Sequence, residues 1–558
     1  MKRDLSLLGG NEFDIVIIGG GIYGVNAAWD AALRGLSVAL IEKNDFGAAT
    51  SSNSLKIIHG GLRYLQHADF KRMRQSIVER RTLMRIAPHL VHPLRCVMPT
   101  YGHGLKGKEV MAVALMINDI VGFDRNAHLE PHKHLPRGHV ISKEACIEMI
   151  PGVEQSGLTG GALWYDCQVS NSERLLMSVL RSAVQAGAVA ANYVEMADFV
   201  KKGNRVTGVR AKDTLTGETF EIGAKLVINN AGPWTNSVMS HLNGDAPREK
   251  VKLSAAMNLV VRKKLFDDIA VGVYSKSNFN DEDAVLNKGS RLLFITPWNE
   301  YSLIGTTHVH YEGEPGNFKI KESDILEFLQ EVNEAYPAAE LTREDVVFHY
   351  GGLLPIDSVN QKTGDVKLRK SYQIIDHERT SGLEGLLSVV SVKYTTARDV
   401  AQKTIDHAIQ KLGRQRIPSV TGNTPVFGGA IACLGDFLAS AKKEAAAGLD
   451  SDSIEHLVQN YGSEYAGVAQ YADERPEWRQ PIGDSKVLQA EVVHAVREEM
   501  ALKLADVVRR RTTLGSGAYP GDEAVQACAR LMAHELGWDQ ARIGREIEET
   551  KAIYATEN

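Results

Sequence analysis

Cysteine is scarce in this chain: five among 558 residues, Cys96, Cys146, Cys167, Cys433 and Cys528, an odd number and widely scattered. No C-x-x-C pair occurs, so the spacing by which short segments clip zinc or run dithiol exchange is excluded. The five read as reduced, mostly buried thiols, and no metal is expected. Long apolar runs are missing as well. None approaches the ~20 residues of a membrane-spanning helix, and 111–117 is among the longest. A spanning helix is excluded, whereas attachment to a membrane surface is not. The opening MKRDLSLLGGNEFD turns polar before any stretch long enough for a signal peptide, so the expected location is the cytoplasm. An excess of basic charge is absent too: Lys+Arg 64 against Asp+Glu 69 leaves a net charge of −5. No nucleic-acid partner is expected from that balance.

What is present is ordinary for a soluble globular protein, with 44% hydrophobic and 24% charged residues. At ~150 residues per domain the length accommodates two to four units with substantial cores. Residues 13–18 are a short β-branched run, followed by Gly19-Gly20-Gly21-Ile22-Tyr23-Gly24 and an Ala-rich, helix-compatible stretch over 25–34. Gly35 stops the helix, 36–41 forms a second apolar strand, and Glu42 stands at its end. This is a complete βαβ unit with glycines at the G-x-G-x-x-G positions Gly19, Gly21 and Gly24. The first permits the turn, the second lets backbone approach a pyrophosphate and the third lets helix pack on strand. Phosphates would sit at the helix N-terminus, where free N–H groups and the dipole favour anions. The acidic Glu42, about 20 residues on, is placed to bind ribose hydroxyls.

Further along, 69–86 and 172–186 are helical, and 188–194, 206–210, 219–222 and 226–229 are strand-like. The segment KLVINNAGP, 225–233, is a buried strand running into a glycine turn, which in an α/β sheet tends to line the ligand crevice. Segments 252–261, 292–297 and 301–305 with the helix 323–335 look like an inserted antiparallel sheet with a flanking helix, after which 385–412 returns to the first unit. From about 425 onward the composition turns to Ala, Glu, Lys and Arg. Val493, Val496, Met500, Leu504, Val507 and Val508 fall at helical spacing, indicating a separate helical domain.

Residues 50–65, TSSNSLKIIHGGLRYL, combine hydroxyls with Lys56, His59, Gly60-Gly61, Arg63 and Tyr64. The hydroxyls suit phosphate oxygens, the glycines let backbone lie close to a flat ring, and an arginine suits a bidentate anion contact. The bland reading is a capped loop and a helix start.

Together with DAALRGLSVALIEKNDFGAATSSNSLKIIHGGLRYLQ, the fingerprint resembles the flavin-dependent glycerol-3-phosphate dehydrogenase/oxidase family, within the D-amino-acid-oxidase-type flavoproteins. The likeness extends to APHL (87–90), NNAGPW (229–234), ITPWNEYSLIGTTHVHYEG (295–313), LLSVVSVKYTTARDVA (386–401) and HAVREEMALKLADVVRRRT (494–512), nearly the whole chain. The resemblance implies an α/β + α fold. Its parts are a Rossmann-like FAD-binding domain in segments of about 10–100, 160–235 and 350–412, an inserted antiparallel-sheet substrate domain over about 100–160 and 236–350, and a C-terminal helical domain over 425–558. It also implies FAD as cofactor and hydride transfer from a secondary alcohol to flavin N5. Carried over residue by residue, Gly19, Gly21 and Gly24 would hold the pyrophosphate, Glu42 the ribose, and Thr50, Ser51 and Ser52 further phosphate and sugar groups. His59, Gly60, Gly61 and Leu62 would border the isoalloxazine. Val194 would lie near the adenine, Ala231 and Gly232 beneath the cofactor, and Lys393, Tyr394 and Thr395 near the pyrimidine end. Arg63 and Tyr64 match the positions expected to hold the substrate's anionic group.

Three departures alter the implied substrate pocket. Asn258 stands where the family's K-G-x-H motif has histidine, Leu354 replaces the arginine of G-x-R-P, and His308 replaces the acidic residue after G-T-T. The arginine expected shortly before a tyrosine is Lys370, with Arg369 beside it. The expected reaction is oxidation of sn-glycerol 3-phosphate, anchored by Arg63 with Arg369 or Lys370, with His59 or His308 taking the hydroxyl proton. Another polyol phosphate, a hydroxy acid, an amine or an amino acid is the alternative substrate. The resemblance implies quinone or oxygen as electron acceptor. Basic clusters at 71–74 and 509–511 are candidates for contact with the inner face of the cytoplasmic membrane, and a homodimer is a further expectation.

Overall fold

The β-branched run Glu12–Ile18 is strand β1, and the glycine turn behind it releases the chain into helix α1, Ile22–Leu33. Strand β2, Val38–Glu42, returns parallel to β1, pairing Ile15 with Val38 through Ile18 with Ile41. In this computed structural model, which describes all residues except 104–106, 243–249, 277–290, 361–364, 445–447 and 557–558, the pair is the centre of an eight-stranded sheet. Its order is Gln373–Asp376, Leu386–Val390, Thr219–Asn229, β1, β2, Val189–Asn192. All neighbours in that row are parallel except the outermost, Gln373–Asp376. Val194–Lys202 and Arg205–Asp213 add an antiparallel meander to Thr219–Asn229. Every residue of β1 after Glu12 is buried, as a parallel strand covered on both faces requires. On one face α1 packs between Ser172–Gln185 and Ala397–Lys411, with Val25, Ala28 and Trp29 in a core shared with Leu176, Val179, Val400 and Ile405.

The second sheet has ten strands, in the order Val366–Leu368, Val346–Val359, Lys252–Val261, Tyr301–Tyr311, Leu292–Trp298, Ile269–Tyr274, Val91–Tyr101, Leu158–Val169, Ile57–Ile58, with His139–Ile141 also on Leu158–Val169. Its pairs are antiparallel apart from Ile269–Tyr274 with Val91–Tyr101. Alternation sorts the two faces. Met257, Leu259 and Ile295 pack with Ile325, Phe328 and Val332 of the helix Glu322–Ala335, whereas Ala256, Asn258 and Phe294 line a cavity on the other side.

The sheets are cut differently from the expected segments. Val91–Tyr101, Leu158–Val169 and Val346–Val359 belong to the antiparallel sheet, although they fall largely within segments assigned to the nucleotide-binding unit. Pro93 and Pro99 mask the first as a strand, and Gly160-Gly161 the second.

The tail is helical, with Leu434–Glu444, Ser451–Tyr461, Gln489–Glu499, Asp522–Leu536 and Gln540–Ala552 among its elements. The spacing from Val493 to Val508 does not run through one helix. Met500 takes a left-handed conformation that ends Gln489–Glu499, and a wide turn follows over Val507–Arg511. That turn also corrects the expectation of a lipid-facing basic cluster. Arg511 is fully buried and donates to both oxygens of Asp45, at 2.6 and 2.7 Å, and Arg510 donates to Asp45 and to Asp506. Arg509 stacks on Phe348, 4.2 Å from its ring centroid. These arginines join the tail to the βαβ unit. Lipid cannot reach them.

Candidate active site

The cavity between the two sheets measures about 490 Å³ and begins at the N-terminus of α1. Gly19 has φ +105°, and a Cβ there would lie 2.6 Å from the Asn230 carbonyl oxygen; one on Gly24 would lie 1.9 Å from the Gly19 carbonyl oxygen. Only glycine lets strand, turn and helix close this tightly. Gly21 caps α1 without a side-chain hydrogen bond, and the nearby Ile22 N–H donates to Ser51 Oγ at 3.0 Å. Glu42 accepts from Gly20 N–H at 2.7 Å and from Asn44 N–H at 2.9 Å. Burial raises its pKa against those two bonds. Beside it Lys43 lies 4.1 Å from the Trp234 ring centroid, both on the cavity wall.

Gly19, Gly21, Glu42, Thr50, Ser51, Val194, Ala231 and Gly232 line this end, and His59, Gly61, Leu62, Arg63, Asn258, His308, Leu354, Lys393, Tyr394 and Thr395 line the remainder. The structure therefore gathers into one cavity most of the residues singled out along the sequence. Six lie off the lining. Gly24 is inside the turn, Ser52 donates to the Gly47 carbonyl, and Gly60 donates its N–H to Asp166 where a Cβ would strike Arg80. Tyr64 is buried directly behind Arg63 and Lys393. Arg369 and Lys370 are not brought to the cavity: Arg369 Nε faces Asp357 at 3.3 Å, and the Lys370 N–H donates to the same carboxylate at 3.4 Å. The edge strand Val366–Leu368 carries them along the rim, whereas Lys393 lines the cavity beside Arg63.

The cationic end centres on Tyr64. Lys393 Nζ is 4.0 Å, the Arg72 guanidinium 4.2 Å and that of Arg63 5.4 Å from its ring centroid, and its hydroxyl lies 3.5 Å from His59 Nε2. Burial would raise the phenol's pKa, yet Arg63 and Lys393 bring it below its ordinary value. Burial also lowers Lys393, to about 8, with Arg72 and Arg63 adding to the effect. His59 is held well below the usual imidazole range by burial and then by Arg63 and Lys393; burial, with Arg291 and Arg63, takes His308 to about 3. Both are neutral imidazoles with a buried Nδ1 that has no hydrogen-bond partner. Asn258 accepts from the Thr306 hydroxyl at 2.6 Å, at a bulge where the strand pairing skips Thr306.

An apolar lobe completes the cavity, with Cys96, Met98, Met111, Trp164, Tyr274 and Phe294. Sequence reasoning missed it, because it is assembled from strands and a helix that no local motif links.

This fold and site define a flavin-binding redox protein, and the chain belongs to the FAD-dependent oxidoreductase family, which it matches over residues 14–375. Residues 419–543 match the C-terminal domain of alpha-glycerophosphate oxidase. The chain is 33% identical over 558 residues to the glycerol-3-phosphate dehydrogenase of Synechocystis sp., covering 98% of this chain and 97% of that protein. It is 30% identical over 586 residues to the mitochondrial glycerol-3-phosphate dehydrogenase of Rattus norvegicus, covering 99% and 74%. In structure it is similar to the glycerol-3-phosphate dehydrogenase from Bacillus halodurans complexed with FAD, at 26% identity and a TM-score of 0.76, over 99% of this chain and 96% of that one. The residues present fit the cofactor. The α1 N-terminus opens into the cavity behind glycines that admit no side chain, Glu42 stands at the end of β2, and the buried Asn230 Oδ1 has no partner.

Proposed function

We propose that this chain oxidises sn-glycerol 3-phosphate to dihydroxyacetone phosphate. The observation that carries the reading is the similarity, over nearly the full length, to dehydrogenases of that name, in a chain whose cavity gathers Arg63 and Lys393 around Tyr64. In this reading Gly19, Gly21 and the first turn of α1 hold the FAD pyrophosphate, with Thr50 and Ser51 beside it and Glu42 on the ribose. Gly24 and Gly60 keep the backbone close, and Ser52 fastens the loop. Val194, Ala231, Gly232, Tyr394 and Thr395 line the cofactor's remaining length. Bound FAD supplies the hydride acceptor.

The protein's own part is to hold the substrate and move a proton. Arg63 and Lys393 take the phosphate, with Tyr64 spacing the two cations. His59 and His308 are the candidate acceptors for the hydroxyl proton, because burial keeps both neutral and leaves Nδ1 of each unpartnered. A dianionic phosphate beside Arg63 offsets the positive field that depresses His59, so substrate binding itself strengthens this base. Asn258 and Leu354 shape the pocket without charge. The apolar lobe excludes water around the reacting carbon.

The test is the visible spectrum of the purified protein, followed by anaerobic addition of glycerol 3-phosphate. Bleaching of the flavin bands is expected. Bands that persist with this substrate and bleach with a hydroxy acid or an amine would overturn the substrate while leaving the cofactor.

Contact with a membrane surface belongs to the same proposal, through the helix Lys108–Val121. Val113, Met116, Ile120 and, just beyond the helix, Phe123 are exposed, and Phe123 lies under the Arg74 guanidinium at 5.1 Å with the exposed Lys71 one turn away. On its inner side Met111 and Ala114 line the cavity, which favours a lipid-borne quinone over oxygen as electron acceptor. Among the described residues no helix is long and apolar enough to cross a membrane, so the contact is superficial. Flotation with anionic liposomes should be lost in Ile120→Glu. Flotation equal to that of the unaltered protein would sink the idea.

A further inference from the structure

A second cluster of chemistry lies where the tail meets the rest of the chain. Cys433, just ahead of the helix Leu434–Glu444, approaches Glu130 and His132, which flank Pro131 at the short turn Pro131–Lys133. One ligand atom from each, the Cys433 Sγ, a His132 ring nitrogen and a Glu130 carboxylate oxygen, lies within 4.8 Å of the others. His132 Nδ1 is 3.4 Å from Glu130 Oε2, and the Leu434 N–H donates to the same oxygen at 3.3 Å. The Cys433 thiol also lies against the Asp436 carboxylate.

The turn that presents the two ligands is anchored. Lys133 is buried and donates to the carbonyls of Pro88 and Val91. The cysteine differs from the other four, which are all buried. Thiolate, imidazole and carboxylate together are the donor set of a borderline-soft divalent ion, and ligand atoms already this close need little movement to surround one at 2.0–2.3 Å.

We propose that Cys433, His132 and Glu130 form a zinc site that fastens the helical tail to the catalytic region, with Asp436 or water as fourth ligand. The thiol loses its proton to solvent as the metal binds, and no electrons move. The site shares none of the cavity's lining residues. Its role is therefore to hold the tail in place, and the flavin chemistry does not depend on it.

The experiment titrates zinc into the full-length FAD-loaded protein, stripped of metal, against a chromophoric chelator. One equivalent is expected to bind. Cys433→Ser and His132→Ala should each weaken it by about tenfold or more, at least the cost of losing a mere supporting residue. Their flavin spectra report that they remain folded. The exposed His534 serves as control, and His534→Ala should change nothing. Cobalt in place of zinc should give a thiolate charge-transfer band that Cys433→Ser lacks. A metal-free protein that takes up no zinc, or uptake unchanged in both ligand variants, would overturn the proposal.

Discussion

Two groups of arginine and lysine in this molecule use the same chemistry to opposite ends. Around Asp45 the paired cations have acids: Arg511 holds both carboxylate oxygens, Arg510 bridges Asp45 and Asp506, Tyr193 donates to Asp506 at 2.7 Å, and Arg174 donates to Glu499. Around Tyr64, Arg63 and Lys393 meet an aromatic ring and the imidazole of His59, and among the described residues neither forms an ion pair with a carboxylate, while Arg72 pairs with Asp69 at 3.4 Å. The first group is complete within the fold and makes a joint. The second carries, in Arg63 and Lys393, positive charge that no neighbouring carboxylate pairs with, a state that would suit an anionic ligand as proposed above.

The contrast breaks most visibly at the joint. Burial alone would raise the Asp45 carboxyl, yet Arg511 and Arg510 hold it well below the usual range. Arg511→Met should therefore destabilise the protein by about 3–5 kcal/mol, since it leaves a buried carboxylate short of its partner. Denaturant unfolding of the FAD-loaded protein measures it. The sign with pH follows: a depressed carboxylate contributes stability that is present above its unfolded pKa and lost as pH falls through the folded one. The Asp45 pairs should thus hold at neutral pH and loosen only in strong acid, whereas burial and then Asp45 push the Asp506 carboxyl up. A loss below about 1 kcal/mol in Arg511→Met would mean the cluster is not the joint described.

How much of this was legible in the sequence divides along the same line. The βαβ unit was readable because its pattern is local in sequence: Gly19, Gly21 and Gly24 stand together between two largely apolar strands, and a Cβ on Gly24 would strike the Gly19 carbonyl of the same turn, although the tight contact at Gly19 is with the distant Asn230. The segment 50–65 was legible as cavity lining because hydroxyls, the pair Gly60-Gly61 and an arginine stand together in it. The joint was not. Asp45 and Arg511 lie at opposite ends of the chain, and a run of three arginines looks the same whether it faces solvent or a buried acid. Lys393 was expected beside the flavin and not against Tyr64, because that approach depends on how two sheets close. Arg369 and Lys370 lie off the cavity lining for the converse reason: their spacing fits, but their edge strand carries them to Asp357.

At the cavity the expected losses fall on binding. Arg63 is exposed at the mouth, so Arg63→Ala should leave stability within about 1 kcal/mol of the unaltered protein. It should lower kcat/KM for glycerol 3-phosphate by about tenfold to a hundredfold, as expected when a charge-assisted contact worth about 1.5–3 kcal/mol is removed. Flavin content should not change. If Arg63→Ala instead unfolds the protein or releases the flavin, Arg63 is structural and the distinction between the two groups collapses.

The smallest effect is the most diagnostic, because it follows a single proton. Burial, with Arg72 and Arg63 nearby, sets Lys393 near 8 in the free protein. Below that pH the ammonium is present and attracts the anion; as pH rises through 8 the charge is lost. The free enzyme's ionisations appear in kcat/KM, so that quantity should decline by a few-fold across the range 7–9 while flavin content stays constant. Lys393→Met should start from the lowered value and show no such limb. His59 and His308 predict the opposite side of the profile. Both are already neutral well above their depressed pKa values, so neither should produce an acid limb near the ordinary imidazole value of 6.5. A basic limb that persists in Lys393→Met would assign the ionisation elsewhere and leave Arg63 as the cavity's one anion contact among the residues tested.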